Sequence, residues 1–185
     1  MHHDVIIAGA GGQGVLTLGK LLARGAMLTG RQVTYFPSYG TEVRGGTANC
    51  HVKIADGELY SPLVEHPTVL LVMNQPSYER FRPQLVPQGW VLANSTMVTL
   101  TGKDEKRERS VAVPATETAS RLGRLVVANM VLLGGLNELL KLLPDEVIER
   151  CLSEELVGAK AALLPVNLEA LAAGAEAVRE RTAAS

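Results

Sequence analysis

The chain has 185 residues, 46% of them hydrophobic, enough for one domain (1–185) with a core of its own. Its 18 lysines and arginines balance 19 acidic residues, so no basic excess draws it to nucleic acid or to an acidic membrane surface. No apolar run approaches the roughly 20 residues of a membrane span, and Met1-His2-His3-Asp4 lacks the charged-then-apolar form of a secretory signal, so the expected location is the cytoplasm.

In chain order, a strand is predicted over 4–8, where Val5-Ile6-Ile7 is continuously apolar, as in a strand covered on both faces. The glycine-rich turn Gly9-Ala10-Gly11-Gly12-Gln13-Gly14 comes next, then a helix over 13–29 and a second strand over 32–36. Strand, helix, strand implies a right-handed crossover and a parallel pair. Residues 47–55 alternate as a strand and meet Asp56-Gly57, a hairpin signal, before Glu58-Leu59-Tyr60. Further strands are expected at 68–73, 90–94 and 110–113, and helices at 76–85, 116–142, 145–157 and 168–181. Lys103 to Arg109 reads as a solvated, mixed-charge loop. The apolar stretch from Val126 to Leu143 carries Gly134-Gly135, which either allow close packing or mark a break. Pro144-Asp145 restarts a helix, and Asn167 is the expected N-cap of the last one. The predicted class is α/β: a single domain with a mostly parallel sheet flanked by helices, one antiparallel hairpin and a helical C-terminal third.

Gly9-x-Gly11-x-x-Gly14 sits between a strand and a helix, where free backbone N–H groups and the helix dipole favour an anion. Four readings stay open. A nicotinamide dinucleotide site wants an acid after the second strand, where this chain has Pro37-Ser38-Tyr39. A P-loop wants a lysine after the glycines, which is absent. The glycines can serve only a tight turn and close helix packing, or they can receive the anionic group of another ligand. A second polar segment, Ser38-Tyr39-Gly40-Thr41-Glu42-Val43-Arg44-Gly45-Gly46, is expected to leave the same carboxyl edge of the sheet. There Arg44 can pair with Glu42 or grip a phosphate or carboxylate, unless the segment is merely an exposed loop that needs glycine. No serine–histidine–acid or cysteine–histidine spacing exists, so no catalytic residue and no metal ligand is assigned. Cys50 and Cys151 are too few for a disulfide framework or for the four thiolates of a usual iron–sulfur cluster.

The two glycine-bearing segments, with Val52-Lys53-Ile54, Ser61-Pro62, Met73-Asn74, Ala128-Asn129-Met130 and Gly134, resemble the gamma subunit of 2-oxoacid:ferredoxin oxidoreductases over most of the chain. Family members often carry proline where Thr41 stands. The resemblance implies a subunit of an enzyme that oxidatively decarboxylates a 2-oxoacid, forms an acyl-CoA and reduces ferredoxin. It further implies alpha and beta partner subunits, with delta as an option, and thiamine diphosphate, magnesium and iron–sulfur clusters held by those partners. This chain is then expected to help bind coenzyme A through Gly9, Gly11, Gly12, Gln13 and Gly14. The segment of Ser38, Tyr39, Gly40, Thr41, Glu42, Arg44, Gly45 and Gly46 is expected beside it at a subunit interface. A compact, separate gamma chain most resembles those of 2-oxoglutarate enzymes, while pyruvate, 2-oxoisovalerate and indolepyruvate enzymes carry similar modules. The rivals are a free-standing NAD- or flavin-linked oxidoreductase and a purely structural subunit. Pairing of the isolated chain with itself stays open.

Overall fold

A computed structural model describes residues 1–39, 47–101 and 108–183. Six strands form one sheet: β1 (His2–Ala10), β2 (Gln32–Tyr39), β3 (Thr47–Ala55), β4 (Val69–Val72), β5 (Gly89–Asn94) and β6 (Glu108–Val113), in the order β2-β3-β1-β4-β5-β6. β1, β4, β5 and β6 run parallel, and β3 alone is antiparallel to its neighbours β1 and β2. The mostly parallel sheet and the antiparallel hairpin are as predicted, but the hairpin lies elsewhere.

Two pairing expectations are corrected. β2 runs in the direction of β1 but does not pair with it, because β3 inserts between them, with Val5 opposite Val52 and Tyr35 opposite Val52. The antiparallel partner of β3 is therefore β2, and residues 58–60 form no strand after Asp56-Gly57. The physical reason is burial. Cys50, Val52 and Ile54 are fully covered, which requires a strand on each side of β3 and a helix above it. A short, exposed partner ending in Tyr60 could not provide that.

α1 (Val15–Leu28) crosses one face of the sheet over β1, β2 and β3. The same face carries α3 (Ala115–Arg121), α4 (Ala128–Leu140), α5 (Asp145–Glu155) and α6 (Leu164–Ala183) over the larger core. α2 (Gln75–Phe81), capped by Asn74 accepting from the Ser77 N–H, covers β1 and β4 on the other face. Val5, Ile6, Ile7 and Ala8 are wholly buried, as the continuous apolar run requires of a central strand covered on both sides.

The helix expected over 116–142 is interrupted. Gly123 takes φ +73, and the chain turns before a short 3₁₀ segment, Leu125–Val127, leads into α4. Gly134-Gly135 do not break α4. A Cβ on Gly134 would lie 2.0 Å from the Leu171 carbonyl oxygen, and one on Gly174 would lie 1.8 Å from that of Val131, so α4 and α6 touch backbone to backbone. Asn167 is not an N-cap: α6 begins at Leu164, and the Asn167 amide donates to the Leu163 carbonyl inside the first turn. With its preceding 3₁₀ turn this helix spans Gly158–Ala183, long and apolar enough by length and composition to cross a membrane, with Lys160, Glu169 and Glu176 interrupting its apolar residues. Its glycine face is taken up by α4. The end of the charged run is also not loop. Glu108 and Arg109 open β6; the Glu108 carboxylate is buried against Arg82 (2.7 Å), and Arg109 stacks 4.7 Å over Trp90.

Candidate functional site

β1 ends at the carboxyl edge of the sheet, and the chain must reverse there to lay α1 across the face. The turn closes with the Gln13 N–H donating to the Ala10 carbonyl (3.2 Å). Gly12 (φ +88) and Gly14 (φ +76) hold left-handed conformations that disfavour other residues. The Gln13 side chain folds back as a staple. Its Oε1 accepts from the Ala10 N–H (2.6 Å), and its Nε2 donates to the Met73 carbonyl beyond β4 (3.4 Å). Gln13 thus has internal partners and stiffens the turn.

The glycines of the turn have different causes. A Cβ on Gly9 would come within 2.6 Å of Gln13 Oε1, so glycine makes room for the staple. A Cβ on Gly14 would lie 2.3 Å from Asn129 Nδ2, which donates to the Gly14 carbonyl (3.3 Å). Gly12 answers to its dihedral. Gly11 has neither cause: its φ is not positive, and a Cβ there would meet nothing within 4 Å. Its missing side chain leaves the outer side of the turn open.

Gly14 is the N-cap of α1 and offers no side-chain cap, and no acidic residue lies in the first turn. α4 likewise starts without a side-chain cap or an acid. Asn129, in its first turn, touches Gly14, so two helix N-termini with uncompensated dipoles meet at this turn. That concentration of positive potential suits an anion held by backbone N–H groups.

Beside the turn opens a cavity of about 380 Å³ walled by Gly12, Gln13, Met73, Met97, Leu125 and Val126 among others. Among the described residues no side chain lining it titrates. Leu125 and Val126 are 63% and 67% exposed. Two neighbouring exposed apolar side chains form a surface that another molecule can cover. Sequence reasoning assigned these two residues to a continuous helix and missed them; Gly123 was the available signal, since a glycine can end a helix and release the residues after it.

The register brings Ser38 and Tyr39, the start of the second predicted segment, to the same edge. Ala10 stands opposite Thr47, and Ser38 and Tyr39 stand opposite Asn49 and Ala48. The ends of β1 and β2 and the start of β3 are therefore neighbours. Gly40, Thr41, Glu42, Arg44, Gly45 and Gly46 lie outside the described residues. Cys50, under the start of α1, is pushed up to about 12 by burial and donates weakly to the Val15 carbonyl, so it is inert packing. Both cysteines are free and buried, and among the described residues no three His, Cys, Asp or Glu side chains gather as metal ligands.

Comparison with known proteins places this geometry. Residues 4–177 match the model of the pyruvate ferredoxin/flavodoxin oxidoreductase family. The ketoisovalerate oxidoreductase subunit VorA of Methanothermobacter thermautotrophicus is 40% identical over 177 residues, covering 95% of this chain and 36% of VorA. The chain thus spans about a third of that relative. The 2-oxoglutarate synthase subunit KorC of the same organism is 33% identical over 183 residues, covering 96% of this chain and 95% of KorC. The solved gamma subunit of a keto/oxoacid ferredoxin oxidoreductase from Geobacter sulfurreducens superposes with a TM-score of 0.81 at 28% identity, covering 96% of this chain and 99% of that one.

Proposed function

The chain belongs to the pyruvate ferredoxin/flavodoxin oxidoreductase family, and from that premise we propose that it is the gamma-type subunit of a cytoplasmic 2-oxoacid:ferredoxin oxidoreductase and binds part of coenzyme A. The complete enzyme converts a 2-oxoacid and coenzyme A to an acyl-CoA and carbon dioxide, with two electrons passing to ferredoxin. Alpha and beta subunits, with or without delta, complete it. Thiamine diphosphate with magnesium supplies the decarboxylation chemistry and iron–sulfur clusters the electron path, and we assign both to the partners. Two buried cysteines, one with its thiol pushed up to about 12, are poor thiolate donors for a cluster.

The observation that carries the ligand reading is the open side of Gly11, beside an uncapped helix start that a neighbouring helix N-terminus reinforces. Backbone N–H groups fixed by the Gln13 staple need no reorganisation to receive a phosphate. Coenzyme A fits better than a nicotinamide dinucleotide, because β2 ends in Ser38-Tyr39 without the carboxylate that would hold a ribose. The adjoining apolar cavity suits the pantetheine arm, closed over by a partner subunit seated on Leu125 and Val126. This chain's part is to bind and orient the acyl acceptor and to exclude water; we assign it no proton transfer.

For the 2-oxoacid, we favour 2-oxoglutarate, because KorC is a compact chain that this one matches nearly end to end. VorA's higher identity favours 2-oxoisovalerate as the second reading. The test is purification of the chain with its native companions, then viologen reduction with each acid. Dependence on coenzyme A and preference for 2-oxoglutarate support the proposal. A lone chain that binds a nicotinamide or flavin dinucleotide overturns it.

A further inference from the structure

The glycine turn offers N–H groups but no cationic side chain, while coenzyme A carries phosphates at two separate places. We propose that Arg80, on α2, is a second phosphate contact of this site; the inference rests on the coenzyme A reading above. The Arg80 guanidinium reaches the carboxyl edge of the sheet, where its Nη1 donates to Thr47 Oγ1 (3.0 Å). Thr47 is the residue opposite Ala10, at the foot of the glycine turn. β-pairing thus fixes the cation next to the turn from the opposite face of the sheet.

Position and charge together mark Arg80; Arg109 and Arg121 also donate to neutral oxygens, those of Gln88 and Thr118. Lys20, Arg24, Arg31, Arg82, Lys141, Arg150 and Arg179 each face a carboxylate. Arg80 is exposed, holds only the neutral Thr47 hydroxyl, and lies 5.2 Å over the Phe81 ring; no carboxylate pairs with it among the described residues. Packing on Phe81 limits the guanidinium's freedom, which lowers the cost of fixing it on a ligand. A hydroxyl is a weak partner that a phosphate displaces, since the charge-assisted bond is about twice as strong as the neutral one.

The experiment measures coenzyme A binding to the complete complex by calorimetry, together with KM and kcat, for wild type, Arg80→Ala, Arg80→Lys and Thr47→Val. Pantetheine, which has no phosphate, serves as the control ligand by competition. Arg80→Ala is expected to raise the coenzyme A Kd and KM on the order of tenfold with kcat unchanged and the pantetheine constant unmoved. Arg80→Lys recovers part of the loss, and Thr47→Val binds normally. Equal losses from Arg80→Ala and Thr47→Val, or an equal loss with pantetheine, make Arg80 a tether of the β3 start and overturn the inference. An unchanged Kd in Arg80→Ala overturns it as well. Gly11→Ala run in parallel separates this failure from that of the underlying reading: if it weakens coenzyme A while Arg80→Ala does not, only Arg80 is misassigned. If neither acts, the coenzyme A reading falls too.

Discussion

Gly11→Ala should make the protein slightly more stable and a worse binder of coenzyme A. The φ of Gly11 is not positive, and a Cβ there meets nothing within 4 Å, so the methyl group is accommodated without strain. Restricting the unfolded chain then contributes about 0.4–1 kcal/mol of stability, a rise in Tm of roughly 1–4 °C for a chain of this size. The same methyl group stands on the open side of the turn, where a phosphate oxygen would approach the N–H groups. Losing one charge-assisted hydrogen bond costs about 1.5–3 kcal/mol, so the coenzyme A Kd should rise roughly 10- to 150-fold. Scanning calorimetry of the chain reads the first effect, and titration of the complex with coenzyme A reads the second. Gly14→Ala is the contrast: its Cβ would lie 2.3 Å from Asn129 Nδ2 at φ +76, so it should lower Tm outright. A Gly11→Ala protein with raised Tm and unaltered coenzyme A binding would refute the ligand argument. A Tm lowered by several degrees would refute the claim that this side of the turn is open.

The packing and the buried groups set three further outcomes. Gly134→Ala forces a methyl group to 2.0 Å from the Leu171 carbonyl oxygen, so α4 and α6 must separate; a loss of about 3 kcal/mol or more is expected in urea unfolding, and a change within about 0.5 kcal/mol would contradict the backbone contact. Cys50, with its thiol pushed up to about 12 by burial, should resist disulfide-exchange reagents in the native state and react only on unfolding; rapid native labelling at this residue would show that the start of α1 opens readily. His3 and His51 are held below their ordinary value of 6.5 chiefly by burial, and His51 Nδ1 accepts the Val64 N–H, which requires that nitrogen unprotonated. The unfolded chain therefore binds more protons as pH drops below about 6.5, and stability should fall from about pH 7 toward about pH 5. His51→Gln should flatten that slope, and an identical slope in the variant would remove His51 from the account.

Much of the fold was legible because its signals are local. Val5-Ile6-Ile7 announced a doubly covered strand, Gly9 to Gly14 announced a strand-to-helix turn, and Pro144 announced a helix start; each depends on a few adjacent residues. The motifs that carry the family resemblance are local segments of the same kind. Gly123 and Asn167 show where local reading fails. An isolated glycine inside an apolar stretch does not say whether it bends the chain, as Gly123 does, or admits another helix, as Gly134 does. An asparagine three residues inside a helix looks the same on paper as one at its start.

By itself the sequence determined the class of the fold, the glycine turn at the end of the first strand, and the absence of a nicotinamide-type acid after the second. Tertiary structure decided the rest. It placed β3 between β1 and β2, because full burial of Cys50, Val52 and Ile54 needs partners on both sides. That insertion brought Thr47, and with it Arg80, to the foot of the turn. It also exposed Leu125 and Val126 beside the cavity and set Asn129 against Gly14. Residues up to 115 positions apart meet at this one edge. No spacing in the sequence encodes such meetings, because strand order is selected by the total apolar burial of the folded chain and not by any segment alone.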